Sequence, residues 1–510
     1  MQRLGISGRS CPNSQRTRML AWFRRLSANW LQGSRVGLLV GAVVLAVGLS
    51  QYVDSVDELF GKIVIDDAYI TYRYSENWAS GIGPTWNRDD PPAEGYSTPL
   101  YMAFLAGARA VFGADIPKLS LVSCLVLGAG TLLLLAVLLF RATGELSWAL
   151  AGAGILAAHP CLAVWSVGGM ETAVYTFLIL LSALLVLLFR DGPGRGRALA
   201  LAAVLALVAL TRTEGPLVAL AFAGATLVTR SPERAPPGTW TVLAAVAGVV
   251  AVHLVVRRAY YGLWVPIPVL AKGSLFASQD RVTDFYESHW LYLVLWLPAL
   301  LRPVPAAVQH VLRYSLVVAA LLTAAVLQVD PVMSAFHRYL FPLVPLFLFG
   351  ALVGLRSLGR WVNDKVAVLA LVAVAALATG RDVVGASRDE TMAAITHYSD
   401  GVMRSHVALG EFIATEYTDP HAQLVAADCG VLPYYSKLRV IDVFGLNDLH
   451  IAEHGLDLDY IFGRRPELIV TSPLRVDQPL LGDPRLRRDY TLVSQWPGFY
   501  TLSLYRRRDD

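Results

Sequence analysis

The chain is poor in charge, in lysine and in paired cysteine. Only 16% of its 510 residues are charged, against about 25% in ordinary soluble domains. That excludes a soluble enzyme of ordinary surface and a disordered chain, which needs charge to stay solvated. Cys11, Cys124, Cys161 and Cys429 are too scattered for a disulfide scaffold, and no two have metal-ligand spacing. Lysine occurs 5 times and arginine 38 times, and the formal net charge of +4 is too small to suggest a nucleic-acid partner. No acid precedes Asp54, whereas seven arginines fall within the first 35 residues.

Apolar residues fill the space instead, at 55% of the chain. A membrane-spanning helix takes about 20 mostly apolar residues. Eleven runs are candidates, from Val36–Val53 through Leu146–Ser166, Ala198–Arg212, Gly215–Thr229 and His289–Leu301 to Val366–Gly380. The first follows an arginine-rich stretch without a convincing cleavage site and reads as an uncleaved helix. Arginine and lysine mark the cytoplasmic side of short loops. With the basic tail inside, every second loop is basic, with Arg141, Arg190, Arg230, Arg302 and Arg356 among its markers. Arg257 and Arg258 break this pattern at an outer end. The count holds only if Pro99–Gly113, which contains Arg109, lies on the outer face as an amphipathic or half-inserted helix. The expected organisation is a basic cytoplasmic tail (1–35), a polytopic helical membrane body (36–380) and an α/β domain (381–510). The body includes a first outer loop (54–117), and the last domain lies outside. In that domain Ser387–Tyr417 has helical spacing, and strand-like runs occur at Leu424–Ala427, Arg439–Val443, Leu468–Thr471, Thr491–Ser494 and Tyr500–Tyr505.

This topology gathers the unusual polar residues on one face. Asp66 and Asp67 follow the first span; adjacent carboxylates repel, which suits one of them to act as a base. A solvated loop or a helix cap is the alternative use of the pair. The same loop carries Trp86, Asn87, Glu94 and Tyr96, in a pattern suited to facing a sugar. Glu171 opens an apolar helix, and Arg212 and Glu214 sit in LTRTEGPL, deep in an apolar region. Ionisable groups there must pair with each other or line a wet cavity. Lys272, His337 and Arg338 are candidates to hold an anionic phosphate, or else to snorkel to lipid headgroups. In the last domain Asp428, Tyr434, Tyr435, Asp442, Asn447 and Asp448 form a dense polar set, suited either to an acceptor or to strand-end turns.

The arrangement resembles the GT-C superfamily of polytopic glycosyltransferases, which use polyprenyl-phosphate sugars. DDAYITYRYSENWASGIG, EGYSTPLY, GGMETAVY, TRTEGP and YYSKLRVIDVFGLND look more narrowly like actinobacterial terminal β-(1→2) arabinofuranosyltransferases and their relatives. TRTEGP has Thr213 where that group has proline. The resemblance implies a GT-C-like membrane fold in a bacterial plasma membrane, with an inverting transfer on the outer side. Asp66, or else Asp67, would be the catalytic carboxylate. Lys272, His337, Arg338 and Arg212 would bind the donor phosphate. Glu94, Tyr96, Glu171, Glu214, Asp442, Asn447 and Asp448 would bind sugar or acceptor glycan. No catalytic metal is required; a divalent cation, if one binds, would sit among Asp89, Asp90 and Glu94. The donor sugar, the acceptor and the oligomeric state stay open. Rival readings are mannosyl or other transfer to protein or lipid, a transporter or flippase using Arg212 and Glu214, and a non-catalytic scaffold.

Overall fold

The computed structural model describes residues 35–227, 237–272, 278–301, 303–329, 335–359, 388–419 and 421–508. The basic tail up to residue 34, the expected span Val366–Gly380, and Arg230 and Arg302 lie outside them. The body opens with α1 (Arg35–Leu59). Helices α2 (Asp66–Ala79) and α3 (Pro99–Phe112) follow in the first polar loop. Then come α4 (Ile116–Thr143), α5 (Leu146–Ala157), α6 (Pro160–Val167), α7 (Thr172–Asp191), α8 (Arg195–Ala209) and α9 (Gly215–Gly224). The body ends with α10 (Thr239–Tyr261), α11 (Ile267–Ala271), α12 (Gln279–Leu301), α13 (Ala306–Val326) and α14 (Val344–Gly359).

Among the described residues six helices are long and apolar enough to cross a membrane, or seven if α5 and α6 form one bent span. The run Leu146–Ser166 is not one straight helix but bends by 69° between α5 and α6. Pro160 explains the break, because it lacks an N–H and bars His159 from helical backbone. The runs Ala198–Arg212 and Gly215–Thr229 become α8, with 15 residues, and α9, with 10. At 1.5 Å per residue, α9 covers only about half of a bilayer core. Helix α3 has 14 residues, also too short to cross. Its exposed Phe104, Val111 and Phe112 give it the apolar side of an interfacial helix.

Small residues let the helices close up. A Cβ on Gly48 of α1 would lie 2.0 Å from the carbonyl oxygen of Gly154 on α5. Close backbone approach of this kind is how helices associate in lipid, where apolar burial alone gives no advantage.

The C-terminal part begins with α15 (Arg388–Val402), a π-helical turn (Met403–Val407) and α16 (Ala408–Glu416). Five strands follow: β1 (Gln423–Ala426), β2 (Arg439–Asp442), β3 (Leu468–Thr471), β4 (Tyr490–Trp496) and β5 (Leu502–Arg507). Their order is β2-β1-β3-β5-β4. β1 pairs in parallel with β2 and β3, and the β4–β5 hairpin adds antiparallel strands. β3 is buried along its whole length, as the central strand of a sheet covered on both faces should be. Helix α17 (Val431–Ser436) joins β1 to β2; α18 (Leu449–His454) and α19 (Leu458–Gly463) lead to β3.

This domain is tied to the membrane body. Arg388 Nε donates to Ser55 Oγ at 2.8 Å, and the Val64 N–H donates to Ser399 Oγ at 3.3 Å. The Asn87 side chain exchanges both amide bonds with the backbone of Val440, at 3.0 Å each, and so covers the sheet edge at β2. Buried Arg73 donates to the carbonyl oxygens of Trp86, Pro433 and Leu438 and to Asn87 Oδ1, joining α2, the first loop and α17.

Candidate functional site

Asp66 and Asp67 form the first turn of α2, where carboxylates favour the helix dipole. Neighbouring helix residues point about 100° apart, and the two side chains meet different parts of the protein. Asp66 faces the C-terminal domain. Its Oδ1 accepts from the Val431 N–H at 2.7 Å and its Oδ2 from the Gly430 N–H at 3.1 Å. Its own N–H donates to the Tyr398 hydroxyl at 3.3 Å. Asp67 faces the membrane body, where Arg338 Nη1 donates to its Oδ2 at 2.7 Å.

The environment of Asp66 disfavours its ionised form. Desolvation pushes its carboxyl up to about 7, the Asp428 and Asp67 charges push the same way, and His406 and the Val431 N–H oppose them. Asp67 is instead committed to an ion pair.

Beyond Asp67 runs a chain of alternating charge. Arg338 also reaches Glu171 Oε1, at 3.4 Å. Glu171 pairs with Arg212, whose Nε meets Glu214 Oε1 at 2.5 Å. The guanidinium groups of Arg338 and Arg212 both lie over the Tyr339 ring, at 5.2 and 4.8 Å. Glu171, Arg212 and Arg338 are buried, so each charge depends on its partners. Lys272 caps α11, which packs on α18. Burial pushes the neighbouring Cys429 thiol up, and the Lys272 ammonium opposes that shift. Among the described residues Lys272 meets no carboxylate within ion-pair distance.

Several expected site residues are engaged with partners inside the protein. His337 does not join this chain; its ring packs against Phe285 and His289, and its Nδ1 lies 3.8 Å from Asp284 Oδ2. Both Glu94 oxygens accept from Arg257, at 2.7 and 3.1 Å, which ties this carboxylate to α10. The pair also accounts for Arg257, the exception to the expected charge pattern, as a buried partner of Glu94. The Tyr96 hydroxyl bonds that of Tyr261 at 2.9 Å. Asp442 accepts from the N–H groups of Phe444 and Asn447 and from Asn447 Nδ2, closing a turn. Asn447 Oδ1 takes the Tyr74 hydroxyl at 3.1 Å. Asp448 caps α18 and accepts from the Tyr460 hydroxyl at 2.8 Å. Tyr96, Asp442, Asn447 and Asp448 thus hold the loop and domain together. The expected cation cluster is dispersed as well: Asp89 faces His421, Asp90 faces Arg439, and Glu94 faces Arg257. Among the described residues these carboxylates do not gather into a metal-ligand set.

Sequence reasoning missed Gly430, His406, Tyr398 and Tyr500 around Asp66. Gly430 stands between the candidate positions Asp428 and Tyr434, and a glycine there was the available signal. A Cβ on Gly430 would lie 1.9 Å from the Asp66 carbonyl oxygen and 2.6 Å from its carboxyl carbon. Only glycine lets this loop reach Asp66.

Residues 394–508 match a domain of unknown function, DUF8728. No curated protein matches the chain. Among solved structures, ArnT from Cupriavidus metallidurans bound to undecaprenyl phosphate superposes with a TM-score of 0.57. That match covers 92% of this chain and 98% of ArnT at 16% identity. The Archaeoglobus fulgidus oligosaccharyltransferase tethered with an acceptor peptide gives 0.54, covering 92% of this chain and 74% of its own at 11% identity. The chain shares the fold of both.

Proposed function

We propose that the chain is an inverting membrane glycosyltransferase that moves a sugar from a polyprenyl-phosphate donor to a cell-envelope glycan. The observation that carries this reading is the division of labour at the head of α2. Asp66 sits in a desolvating pocket that favours proton uptake near pH 7, and Asp67 fixes a buried arginine beside it. Adjacent carboxylates with different environments are a recurrent acid–base device. The shared fold with ArnT, which binds undecaprenyl phosphate, supports a polyprenyl phosphate as the leaving group.

In this reading an acceptor hydroxyl attacks the anomeric carbon while Asp66 takes its proton. The bond from the anomeric carbon to the phosphate oxygen breaks on the opposite face. The electron pair leaves with the polyprenyl phosphate, and the configuration inverts. Phosphate leaves readily, so no second carboxylic acid is needed, unlike in glycoside hydrolysis. Arg338 and Lys272 face the phosphate. Arg338 is preorganised by Asp67 and Glu171, so little reorganisation is needed as negative charge develops. Arg212, Glu171 and Glu214 hold Arg338 in place. The site lies on the extracytoplasmic side of a bacterial plasma membrane.

The five motifs quoted above favour arabinofuranose as the sugar. Purified protein given radiolabelled polyprenyl-phosphate arabinofuranose, mannose and glucose with a cell-envelope glycan should transfer the first. Transfer of mannose or glucose alone would replace the sugar assignment, and no transfer from any donor would remove the enzymatic reading.

A further inference from the structure

Behind Asp66 lies a charge pair, His406 buried and Asp428 half-buried, that the transfer chemistry does not use. Asp428 follows β1 at the head of the loop that brings the Gly430 and Val431 N–H groups to Asp66. Its Oδ1 accepts from the Tyr500 hydroxyl at 2.6 Å, and its Oδ2 lies 3.1 Å from His406 Nε2. His406 stands in the π-helical turn and is 2% exposed. Its Nδ1 lies 2.8 Å from Ser405 Oγ, and that hydroxyl donates to the Gly401 carbonyl at 2.8 Å. A serine hydroxyl has one proton to give. With that proton on Gly401, the Ser405 oxygen is free to accept from Nδ1–H. Burial opposes charge on the ring, but the Asp428 carboxylate beside Nε2 outweighs it and raises His406 above the ordinary histidine range, favouring the imidazolium.

We infer that Asp428 and His406 are positioning residues that set the pH at which Asp66 can accept the acceptor's proton. The inference rests on the reading of Asp66 as the base. The groups facing Asp66 are few: Asp67 on α2, Tyr398 from α15, His406 from the π-helical turn, Asp428 and Cys429 from the loop after β1, and Tyr500 from the segment before β5. Lys272 stands beyond Cys429, and Arg338 is held off by Asp67. Asp428 and His406 therefore act on Asp66 with opposite sign. The like charge of Asp428 disfavours ionised Asp66, and the imidazolium favours it. Asp428 also anchors the loop whose N–H groups hold the Asp66 oxygens.

The test is the pH–rate profile of transfer for wild type, H406Q and D428N, read as kcat/KM for the donor that wild type uses. Only ionised Asp66 is a base, so the wild-type rate should rise with pH through a midpoint near 7. H406Q removes the cation and leaves Asp428 bonded to Tyr500, so the midpoint should move up by about one pH unit. D428N removes the anion, so the midpoint should move down. A purely structural role would lower the rate at every pH and leave the midpoints in place, and that result overturns the inference. If D428N does not fold, as judged by thermal denaturation in detergent, H406Q alone decides by the sign of its shift. Full transfer by D66N, or none by wild type, would instead overturn the base reading, and this inference with it. The two failures are thereby distinguishable.

Discussion

Replacing Gly430 by alanine tests the clamp on Asp66 with one methyl group. The added Cβ would start 1.9 Å from the Asp66 carbonyl oxygen. A carbon and a carbonyl oxygen settle no closer than about 3.3 Å. The loop must therefore retreat by roughly 1.4 Å from the first turn of α2, which Arg73 and the α15 contacts hold in place. That distance breaks the bonds from the Gly430 and Val431 N–H groups, now 3.1 and 2.7 Å long. Hydrogen bonds to a charged group contribute about 1.5–3 kcal/mol each. Misplacing a reacting group by about 1 Å costs on the order of 100-fold in rate. G430A should therefore lower kcat by about that factor, lower the melting temperature in detergent, and leave donor affinity within about twofold. Alanine at Gly463, where a Cβ meets nothing within 4 Å, is the control and should behave as wild type. A G430A protein with wild-type kcat and melting temperature would refute the clamp.

Further outcomes follow from the charge network. E94Q or R257M leaves one member of a buried bidentate pair without its partner, and should cost about 3–5 kcal/mol by thermal denaturation. The double variant E94L/R257L should recover much of that loss; equal damage in single and double variants would contradict the pairing. R338A should weaken binding of polyprenyl phosphate, measured by titration with the lipid, and leave acceptor affinity unchanged; the reverse pattern would move the phosphate site elsewhere. A reporter active only in the cytoplasm, fused after Asp510, should be silent, and activity would invert the topology.

Local pattern carried much of the fold. Apolar runs marked the long membrane helices, although several of the eleven became helices too short to cross alone, and short strand-like runs between turns marked the five strands of the described sheet to within about two residues. Pro160 was visible, but a proline in an apolar run does not say how sharply the chain will bend. The acid pair was legible because two carboxylates beside a span are costly without a use. Their different roles were not, since those depend on partners from the other end of the chain. Glu171 meets Arg212 and Arg338 across sequence separations of 41 and 167 residues. Glu94 meets Arg257 across 163. Arg257 did announce itself by standing at the wrong end of a helix for the charge bias, and a buried partner is the physical answer to such an exception. Asp428 stood out only as one member of the dense polar set in the last domain, and His406 gave no sign; their pairing beside Asp66 comes from the fold.

The central claim is that Asp66 removes the acceptor's proton, and D66N tests it most directly. The asparagine keeps the shape of the side chain and cannot serve as that base. Transfer of radiolabelled sugar from the polyprenyl-phosphate donor should fall below detection in D66N, while donor binding and melting temperature stay close to wild type. Transfer at the wild-type rate by a folded D66N protein would contradict the account.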